Sequence, residues 1–549
     1  MVSNILKSFP KEYTPSPQQE DLLTSIEKAF DEGHKFVVCS APTGSGKSFI
    51  SKTYGNVARG ASDTFKDLVN SYKIYKRSNI SSGFQGEDEL EDEPSFGAFV
   101  LTITKSLQDQ YHELFNDIAV LKGKSNYQCA YDSDYAVDCA PCVHIKNLKE
   151  QCWTKDICPY YKARNKALTA NLATLNYNMF FSLPEHLKKR QYLICDEAAE
   201  LEDQIVKEYS CTINFQTLTR NDIYIKPFPT GNNYSAVGNW LISLNGSITN
   251  KIENLKEEIS KGTKTPHIES KIKYKKDILA TFINLQHKIT AVIDTWSDSE
   301  YLFERTKDSV DFVPLKVDKL AQNLFQYADK IILMSATIID PVSYCKSLGI
   351  TDYKYVEAKS VFDPKKAPIY TSTKVKLNYN NLQDHLPKIA QQIREICNIH
   401  KGDKGIIHSQ TNSITKYLQK VNKSSRFLYR EAGVRNEELL DTHYNTSDPT
   451  VLVSPSMSHG IDLKDDLARF QIIIKAPYLP TLDKRVARMM KLDFNWYVNK
   501  MISAVIQACG RGIRTKDDHC VTYILDSAIS EQIVKNKHKI PKYFLDRFM

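Results

Sequence analysis

Short apolar runs recur along the chain and are separated by longer amphipathic segments. The runs lie at 35–40, 98–104, 191–196, 330–335, 404–409, 451–456, 470–476 and 520–526. Runs of this length that are apolar at nearly every position indicate strands buried on both faces, as in parallel sheets covered by helices. We therefore predict an α/β fold with two doubly wound parallel sheets in succession.

Three stretches interrupt this alternation of apolar runs and amphipathic segments. Residues 60–96 are polar and contain an acidic block from Glu87 to Glu93, which indicates a solvated insertion. Residues 121–170 contain five of the twelve cysteines of the chain. Residues 206–315 are rich in Lys, Glu, Ile and Leu at helical spacing. This last pattern predicts an insertion made of long amphipathic helices.

The length and composition of the chain limit the class of protein. A chain of 549 residues is longer than one hydrophobic core usually supports, so we expect several domains. The formal net charge of +8 is compatible with a polyanionic partner without requiring one. No signal peptide is evident, and no apolar run reaches the roughly 18 residues of a membrane span, so we expect a cytoplasmic protein, nuclear in a eukaryotic host, with no membrane partner. Clustered cysteines in a reducing compartment favour metal or cluster ligation over disulfides.

The first apolar run leads into a glycine-rich turn with the sequence APTGSGKS. Backbone N–H groups of such a turn between strand and helix close around phosphate oxygens at the positive end of the helix. Lys47 would reach the terminal phosphates of ATP, and Ser48 would ligate Mg²⁺. Ala41 stands where the strict pattern has Gly, a mild departure because the residue is small. The predicted nucleotide-binding residues of this turn are Ala41, Pro42, Thr43, Gly44, Ser45, Gly46, Lys47 and Ser48.

A nucleotide hydrolase also needs a carboxylate at the end of a buried strand. The sequence YLICDEAAEL places Asp196 and Glu197 at the end of the third apolar run. Asp196 would hold Mg²⁺ through water, and Glu197 would position and deprotonate the attacking water. An Asp-Glu pair at a strand end is common, so it indicates a nucleotide hydrolase only because it follows the phosphate loop in the chain.

Two further motifs lie later in the chain. The sequence LMSATI presents Ser335 and Thr337, whose hydroxyls could link hydrolysis to a bound polymer. The sequence QACGRGIR carries Gln507, Arg511 and Arg514. The two arginines are expected to share a helix face and to stabilise the charge of a γ-phosphate in the transition state. Hydrolysis would then be completed only when a second domain closes on the first.

The order of these motifs resembles that of the superfamily 2 helicases, and within them the iron-sulfur XPD/DinG branch. The residues that carry the resemblance span nearly the whole chain and read YTPSPQQ, APTGSGKS, TITKSLQDQY, LKGKSNYQC, CPYYKAR, LNYNMFF, DEAA, MSATI, SHGIDL, IIIKAPYLPTLD and QACGRGIR. The resemblance implies two RecA-like motor domains, with an iron-sulfur cluster domain and a helical arch inserted in the first. It also implies ATP-driven translocation on single-stranded DNA in the 5′ to 3′ direction.

The resemblance also gives the domain boundaries that we predict. Motor domain 1 would comprise residues 1–120, 171–205 and 316–342, interrupted by a cluster domain at 121–170 and by an arch at 206–315. Motor domain 2 would comprise residues 343–549.

Individual roles follow from the same resemblance. Gln19 would read the adenine base, and Gly460 and Asp462 would couple the nucleotide state to the grip on DNA. The residues expected along DNA are Thr104, Lys105, Gln108 and Gln110. The chain departs from the family at Ala199, where a His usually follows the Asp-Glu-Ala sequence. The carboxylates before it are intact, so metal binding and hydrolysis should survive, while the gating of hydrolysis by DNA is put in question.

Five cysteines compete for the four thiolate positions of a 4Fe–4S cluster, and zinc would also take four. Cys129 and Cys158 match the edges of the family's cluster domain. Between them, Cys139 and Cys142 resemble the pair of XPD-type members, whereas Cys152 has the spacing of DinG-type members. We predict that Cys129, Cys142, Cys152 and Cys158 are the ligands and that Cys139 is spare; Cys139 could replace Cys142 or Cys152.

The sequence thus predicts an ATP-dependent DNA helicase that uses ATP, Mg²⁺ and a 4Fe–4S cluster. It would act as a monomer on single-stranded and forked DNA, unwinding duplexes in DNA repair or replication. A nucleic-acid-binding scaffold with a weakly coupled or decayed motor is the alternative, suggested by Ala199. A third reading, a P-loop enzyme for a small molecule with a zinc insert, lacks a second substrate motif.

Overall fold

The computed structural model describes most of the chain. The described residues are 4–42, 44–70, 95–143, 147–231, 233–260, 266–359, 362–371, 375–429, 436–455, 463, 465–513 and 518–549. The acidic block expected in a solvated insertion lies outside them. Contacts divide the chain into two compact units, and each is described by itself. The first unit comprises residues 1–50, 333–345 and 353–549, and the second comprises residues 51–332 and 346–352.

The first sheet has seven strands. They are β1 (Phe36–Ser40), β2 (Ala98–Thr102), β3 (Ala119–Leu121), β4 (Leu172–Asn176), β5 (Arg190–Asp196), β9 (Ala328–Ser335) and β10 (Lys354–Glu357), in the order β10-β1-β9-β5-β2-β4-β3. The pairs β1–β10, β2–β4, β2–β5 and β3–β4 are parallel. All five residues of β2 are buried, because helices cover such a sheet on both faces. This confirms the prediction made from the first four apolar runs.

The second sheet has six strands and lies in the first unit. They are β11 (Ile369–Thr371), β12 (Gly405–His408), β13 (Phe427–Tyr429), β14 (Val451–Ser454), β15 (Phe470–Ile473) and β16 (Val521–Ile524), in the order β11-β16-β15-β12-β14-β13. Every pair in it is parallel. The central strands β12, β14 and β15 are buried at all four positions, which explains why the sequence shows them as uninterrupted apolar runs. The predicted fold class, two parallel α/β sheets, is confirmed.

The third sheet is antiparallel and belongs to the second unit. Its strands are β6 (Cys211–Asn214), β7 (Tyr301–Arg305) and β8 (Ser309–Pro314), in the order β6-β8-β7. Two long helices, α10 (Tyr234–Ser260) and α11 (Pro266–Asp294), pack with this sheet around a core of their own, which includes Trp240, Phe282 and Phe312. The long amphipathic helices expected in this stretch are therefore present, and the small sheet was not predicted.

The remaining helices cover the two parallel sheets or join their strands. They are α1 (Pro17–Asp31), α2 (Lys47–Val57), α3 (Asp63–Asn70), α4 (Lys105–Leu114), α5 (Leu148–Thr154), α6 (Pro159–Thr169), α7 (Tyr177–Phe181), α8 (Leu201–Glu208), α9 (Phe215–Arg220), α12 (Asp318–Phe325), α13 (Pro341–Ser347), α14 (Leu382–Ile399), α15 (Asn412–Val421), α16 (Asn436–Asn445), α17 (Lys484–Leu492), α18 (Phe494–Cys509), α19 (Ser527–Lys535) and α20 (Lys542–Leu545). Within the described ranges, no helix is both long enough and apolar enough to span a bilayer.

Candidate functional site

The glycine-rich turn connects β1 to α2. Gly44 and Gly46 have φ angles of +78° and +81°, in the left-handed region where a residue with a Cβ is strained. The N–H of Ser45 donates to the carbonyl oxygen of Pro42 at 3.1 Å, which closes the turn. Thr43 lies outside the described residues. Both glycines are therefore required by the backbone that turns the strand into the helix.

Helix α2 begins at Lys47, so Lys47 and Ser48 are its first two residues. The positive end of the helix dipole lies at this position, which favours phosphate oxygens. Both side chains are partly exposed. The predicted phosphate-binding residues thus stand where a strand, a glycine turn and a helix start meet, as the sequence indicated.

Gln19 lies against the glycine-rich turn. Its backbone N–H donates to the hydroxyl of Ser16 at 3.3 Å, and its side-chain oxygen accepts from the N–H of Ser16 at 2.9 Å, so a capping box fixes the start of α1. A Cβ atom at Gly46 would overlap the side-chain nitrogen of Gln19. Gln19, which is expected to read the adenine, therefore contacts Gly46 of the predicted phosphate-binding turn.

The Ser335–Thr337 segment begins at the last residue of β9 and is bonded to the start of the glycine-rich turn. The N–H of Ala41 donates to the carbonyl oxygen of Ser335 at 2.9 Å. The two hydroxyls of Ser335 and Thr337 lie 3.2 Å apart, and both residues are buried. The hydroxyl of Tyr543 donates to the carbonyl oxygen of Ala336. These bonds fix the backbone of the segment.

Asp196 is the last residue of β5 and is 5% exposed. Its Oδ1 accepts the N–H of Glu197 at 3.0 Å, and its Oδ2 accepts the hydroxyl proton of Tyr111 at 3.1 Å. The hydroxyl of Tyr111 lies 3.1 Å from that of Ser51 in α2. Glu197 has a φ of +53°, a strained backbone that turns the chain sharply after the strand. Sequence reasoning identified the carboxylates but not Tyr111.

Gln507 and Arg511 lie at the end of α18. The helix ends at Cys509, so Arg511 stands in the turn that follows, and the expectation that it shares a helix face with a second arginine is wrong. Gly510 is the C-cap of the helix, and its N–H donates to the carbonyl oxygen of Ile506 at 3.1 Å. Burial first, and then the positive charge of Arg511, lowers the pKa of His408 to about 4. Arg511 therefore lies near the end of β12.

A small cleft in the first unit brings three of these segments together. Its lining includes Pro42 of the turn, Ala336 between the two predicted hydroxyl residues, and Gly510 between Gln507 and Arg511. The predicted site residues Gly460, Asp462 and Arg514 lie outside the described residues.

Two of the residues predicted to lie along DNA stand at the start of helix α4, Thr104 as its N-cap and Lys105 as its first residue. The hydroxyl of Thr104 accepts the N–H of Leu107 at 3.3 Å and caps the helix, and Lys105 is exposed. Gln110 is exposed as well. The expectation for Gln108 is wrong, because it is 0% exposed and its amide donates to backbone carbonyls of the first sheet. Buried in that way, Gln108 orients the helix instead of contacting a ligand.

Four of the five clustered cysteines interact electrostatically. Burial, and then the charges of neighbouring groups that include Cys152, Cys158 and Cys129, raises the pKa of Cys142 to about 11. Burial and the charges of Cys129 and Cys158 also raise the pKa of Cys152. The strongest charges near Cys139 belong to other residue types: Asp138, Asp277 and Lys276. Cys139 thus has surroundings different from those of the other four, and the assignment of the four ligands stays a prediction.

Coordination geometry is a separate matter. In the part of the chain that the structure describes, no group of three or more His, Cys, Asp or Glu side chains is arranged to hold a metal ion. The four thiols therefore lie within electrostatic range of one another without converging on one point. Their chemistry fits a thiolate-ligated cluster, since it supplies four soft ligands on a segment with little core of its own.

Comparisons with known proteins agree with this arrangement. Residues 105–218 match the DEAD_2 family model, and residues 396–544 match the model of the helicase C-terminal domain. An ATP-dependent DNA helicase, YoaA of Haemophilus influenzae, is 20% identical, over 94% of this chain and 92% of that protein.

Solved structures share the fold. One described as an XPD helicase aligns with a TM-score of 0.59 at 16% identity, over 98% of this chain and 99% of that one. The structure of S. tokodaii Xpd4 aligns with a TM-score of 0.53 at 13% identity, over 95% and 97%. The two matching models and the shared fold make the chain similar to helicases of superfamily 2, and the solved structures that share its fold include XPD helicases.

Proposed function

We propose that the protein is an ATP-dependent DNA helicase that translocates 5′ to 3′ on single-stranded DNA and unwinds duplex DNA. The observation that carries the proposal is the cleft lined by Pro42, Ala336 and Gly510, since each of the three belongs to a different predicted motif. Pro42 and Ala336 follow strands that are neighbours in the first sheet, whereas Gly510 ends helix α18, and ATP hydrolysis needs all three motifs. The helicase family models support the same assignment.

Each predicted site residue has one task in this reaction. Lys47 binds the terminal phosphates, and Glu197 takes a proton from the attacking water. Ser48 and Asp196 would hold Mg²⁺, which supplies positive charge next to the phosphates when bound. Asp196 fits that role because it is a carboxylate at the end of a buried strand, and bonds from Tyr111 and from the N–H of Glu197 hold it in place. Gln507, Arg511 and Arg514 complete the site around the γ-phosphate.

Single-stranded DNA would follow the exposed start of α4. Lys105 and Gln110 are exposed there, and the partial positive charge of the helix N-terminus favours a phosphate. The net charge of +8 favours a polyanionic substrate. Gln19 would read adenine, and Gly460 and Asp462 would report the nucleotide state to the DNA groove. The domain boundaries, a monomeric state and a role in repair or replication complete the proposal.

The cysteine segment would hold a 4Fe–4S cluster through Cys129, Cys142, Cys152 and Cys158. What supports this is the electrostatic proximity of these four thiols and the separate surroundings of Cys139. A cluster would tie together a short polar segment and give it the rigidity that its small core does not supply.

The test is an unwinding assay on forked DNA with anaerobically purified protein. We expect ATP hydrolysis to be stimulated by single-stranded DNA, and unwinding to need a 5′ tail and not a 3′ tail. Lys47→Ala is the control for the motor, because it removes the phosphate ligand and should abolish hydrolysis while DNA binding persists. DNA binding without hydrolysis in the wild-type protein would favour the scaffold alternative. ATP hydrolysis that does not respond to DNA would favour a small-molecule enzyme. Unwinding only from a 3′ tail would show that translocation runs 3′ to 5′.

A further inference from the structure

Three buried side chains form a continuous hydrogen-bonded chain in the second unit. Tyr111 lies in the middle, with its hydroxyl 3.1 Å from Asp196 Oδ2 and 3.1 Å from Ser51 Oγ. Ser51, Tyr111 and Asp196 are 0%, 2% and 5% exposed. The hydroxyl of Tyr111 therefore has no route to bulk solvent, and its bonds are made inside the protein.

The direction of these bonds follows from their chemistry. An ionised carboxylate can only accept, so the single proton of Tyr111 is donated to Asp196. The oxygen of Tyr111 is then left to accept, and Ser51 donates its proton to it. The chain runs from Ser51 through Tyr111 to Asp196, and each hydroxyl polarises the next.

This chain connects three elements with different tasks. Ser51 stands one helical turn after Lys47 in α2, and Asp196 ends β5. Tyr111 belongs to α4, the helix whose start at Lys105 is expected to contact DNA. Gln108 fixes the same helix to the sheet by donating to the carbonyl oxygens of Leu121 and Thr174 at 3.0 and 3.2 Å. Tyr111 is thus the residue through which α4 is bonded to the carboxylate of Asp196.

We propose that Tyr111 is a positioning residue that fixes the orientation of the Asp196 carboxylate and connects it to the DNA-binding helix. The proposal deepens the proposed function and rests on it. Asp196 has two side-chain oxygens, of which one is bonded to the N–H of Glu197 at 3.0 Å and the other to Tyr111. Without the tyrosine hydroxyl the carboxylate loses one of the bonds that limit its rotation, and both the metal-binding lone pairs and the backbone of Glu197 are held less firmly.

The experiment compares Tyr111→Phe with Tyr301→Phe. Tyr301 is 3% exposed, and its hydroxyl lies 2.7 Å from that of Thr295 in the same unit, so its variant loses a similar buried bond that does not involve Asp196. In Tyr111→Phe we expect the Mg²⁺ concentration for half-maximal ATP hydrolysis to rise roughly tenfold, the size of a lost hydrogen bond to a charged group. Stimulation by single-stranded DNA should fall while the affinity for that DNA stays unchanged. Tyr301→Phe should leave all three quantities as in the wild type.

A second readout needs neither metal nor turnover. In metal-free protein, hydrogen exchange of peptides that contain the Glu197 amide should be faster in Tyr111→Phe than in Tyr301→Phe, because that amide donates to Asp196. Ser51→Ala should shift both readouts in the same direction by less, and the double variant should be no worse than Tyr111→Phe alone.

The outcomes separate the two proposals. Wild-type protein without DNA-stimulated hydrolysis would overturn the proposed function and leave the exchange comparison as the test of Tyr111. Equal exchange at Glu197 in the two tyrosine variants would overturn the positioning role, whatever the activity. Additive effects of Ser51→Ala and Tyr111→Phe would show two independent contacts and overturn the relay.

Discussion

The side-chain nitrogen of Gln19 occupies the space into which a Cβ atom at Gly46 would project. The two residues belong to different motifs, one expected to read the base of a nucleotide and the other to lie under its phosphates. Glycine is therefore required at position 46 for two reasons. A side chain there would overlap Gln19, and the φ of +81° lies in the left-handed region, which favours glycine.

Gly46→Ala should abolish ATP binding, because the new methyl group would displace Gln19 as well as strain the turn. Gly33→Ala is the matched control: Gly33 has a φ of +93°, but nothing lies within 4 Å of the position of its Cβ. The control should lose about 1–2 kcal/mol of stability from the left-handed backbone alone and keep its affinity for ATP. Titration with a fluorescent ATP analogue, together with thermal unfolding, distinguishes the two effects. Equal ATP affinity in both variants would show that the contact with Gln19 is unimportant.

Arg511→Ala should slow ATP hydrolysis by roughly a thousandfold with little change in the affinity for ATP. The reason is that an arginine on the γ-phosphate acts on charge that develops in the transition state, and so affects rate more than ground-state binding. The measurement is the maximal rate of hydrolysis beside equilibrium ATP binding. Arg394→Ala is the control, since this exposed arginine of α14 donates to Asn422 and does not line the cleft. Weakened binding with an unchanged rate would assign Arg511 a ground-state role.

The strands and the phosphate loop could be predicted because each depends on local sequence. Uninterrupted apolar runs such as that of β2 occur only where both faces of a strand are covered. Strand β8 has the alternating burial of a half-covered strand, and its sequence SVDFVP carries that signal, but it lies within a stretch dominated by helical spacing. The small antiparallel sheet was missed for that reason.

The site residues that escaped prediction depend on contacts between distant positions. Tyr111 bonds to a carboxylate 85 positions away, and its neighbours in α4 give no sign of it. Gln108 was misassigned because a polar residue in a helix is usually exposed, whereas here its amide satisfies two buried carbonyl groups. For Arg511 the signal was present in Gly510, a residue that commonly ends helices.

His408 should make the stability of the protein sensitive to mild acid. Its pKa in the folded protein, about 4, lies below the value of about 6.5 of an exposed histidine. The unfolded chain therefore binds the proton first as the pH falls, and stability is lost between about pH 6.5 and pH 4. Between pH 7 and pH 5 this one group should contribute a loss of about 2 kcal/mol.

His408→Gln should remove that part of the loss, because glutamine does not titrate in this range. The measurement is the free energy of unfolding in urea at pH 7 and pH 5 for the wild type and the variant. His519→Gln, which replaces an exposed histidine, is the control. Arg511→Ala should also reduce the loss, since the charge of Arg511 is the second cause of the lowered pKa. An unchanged pH dependence in His408→Gln would contradict the assignment.

The last prediction concerns the cysteine segment and decides which four of its five cysteines are cluster ligands. Cys152→Ser should lose iron, because Cys152 lies within electrostatic range of Cys129 and Cys158. Cys139→Ser should retain it, because the charges that act most strongly on Cys139 are those of Asp138, Asp277 and Lys276. The two variants are matched controls for each other, since both replace a cysteine of the same segment by serine.

The measurement is the iron and zinc content of anaerobically purified protein, together with its absorption near ~400 nm, where thiolate-ligated clusters absorb. We expect about four iron atoms per chain in the wild type and in Cys139→Ser, and a colourless protein in Cys152→Ser. Iron retained by Cys152→Ser and lost from Cys139→Ser would transfer the ligand role to Cys139. Stoichiometric zinc in a colourless wild-type protein would replace the cluster by a zinc site with the same four thiolates, because zinc also takes four such ligands.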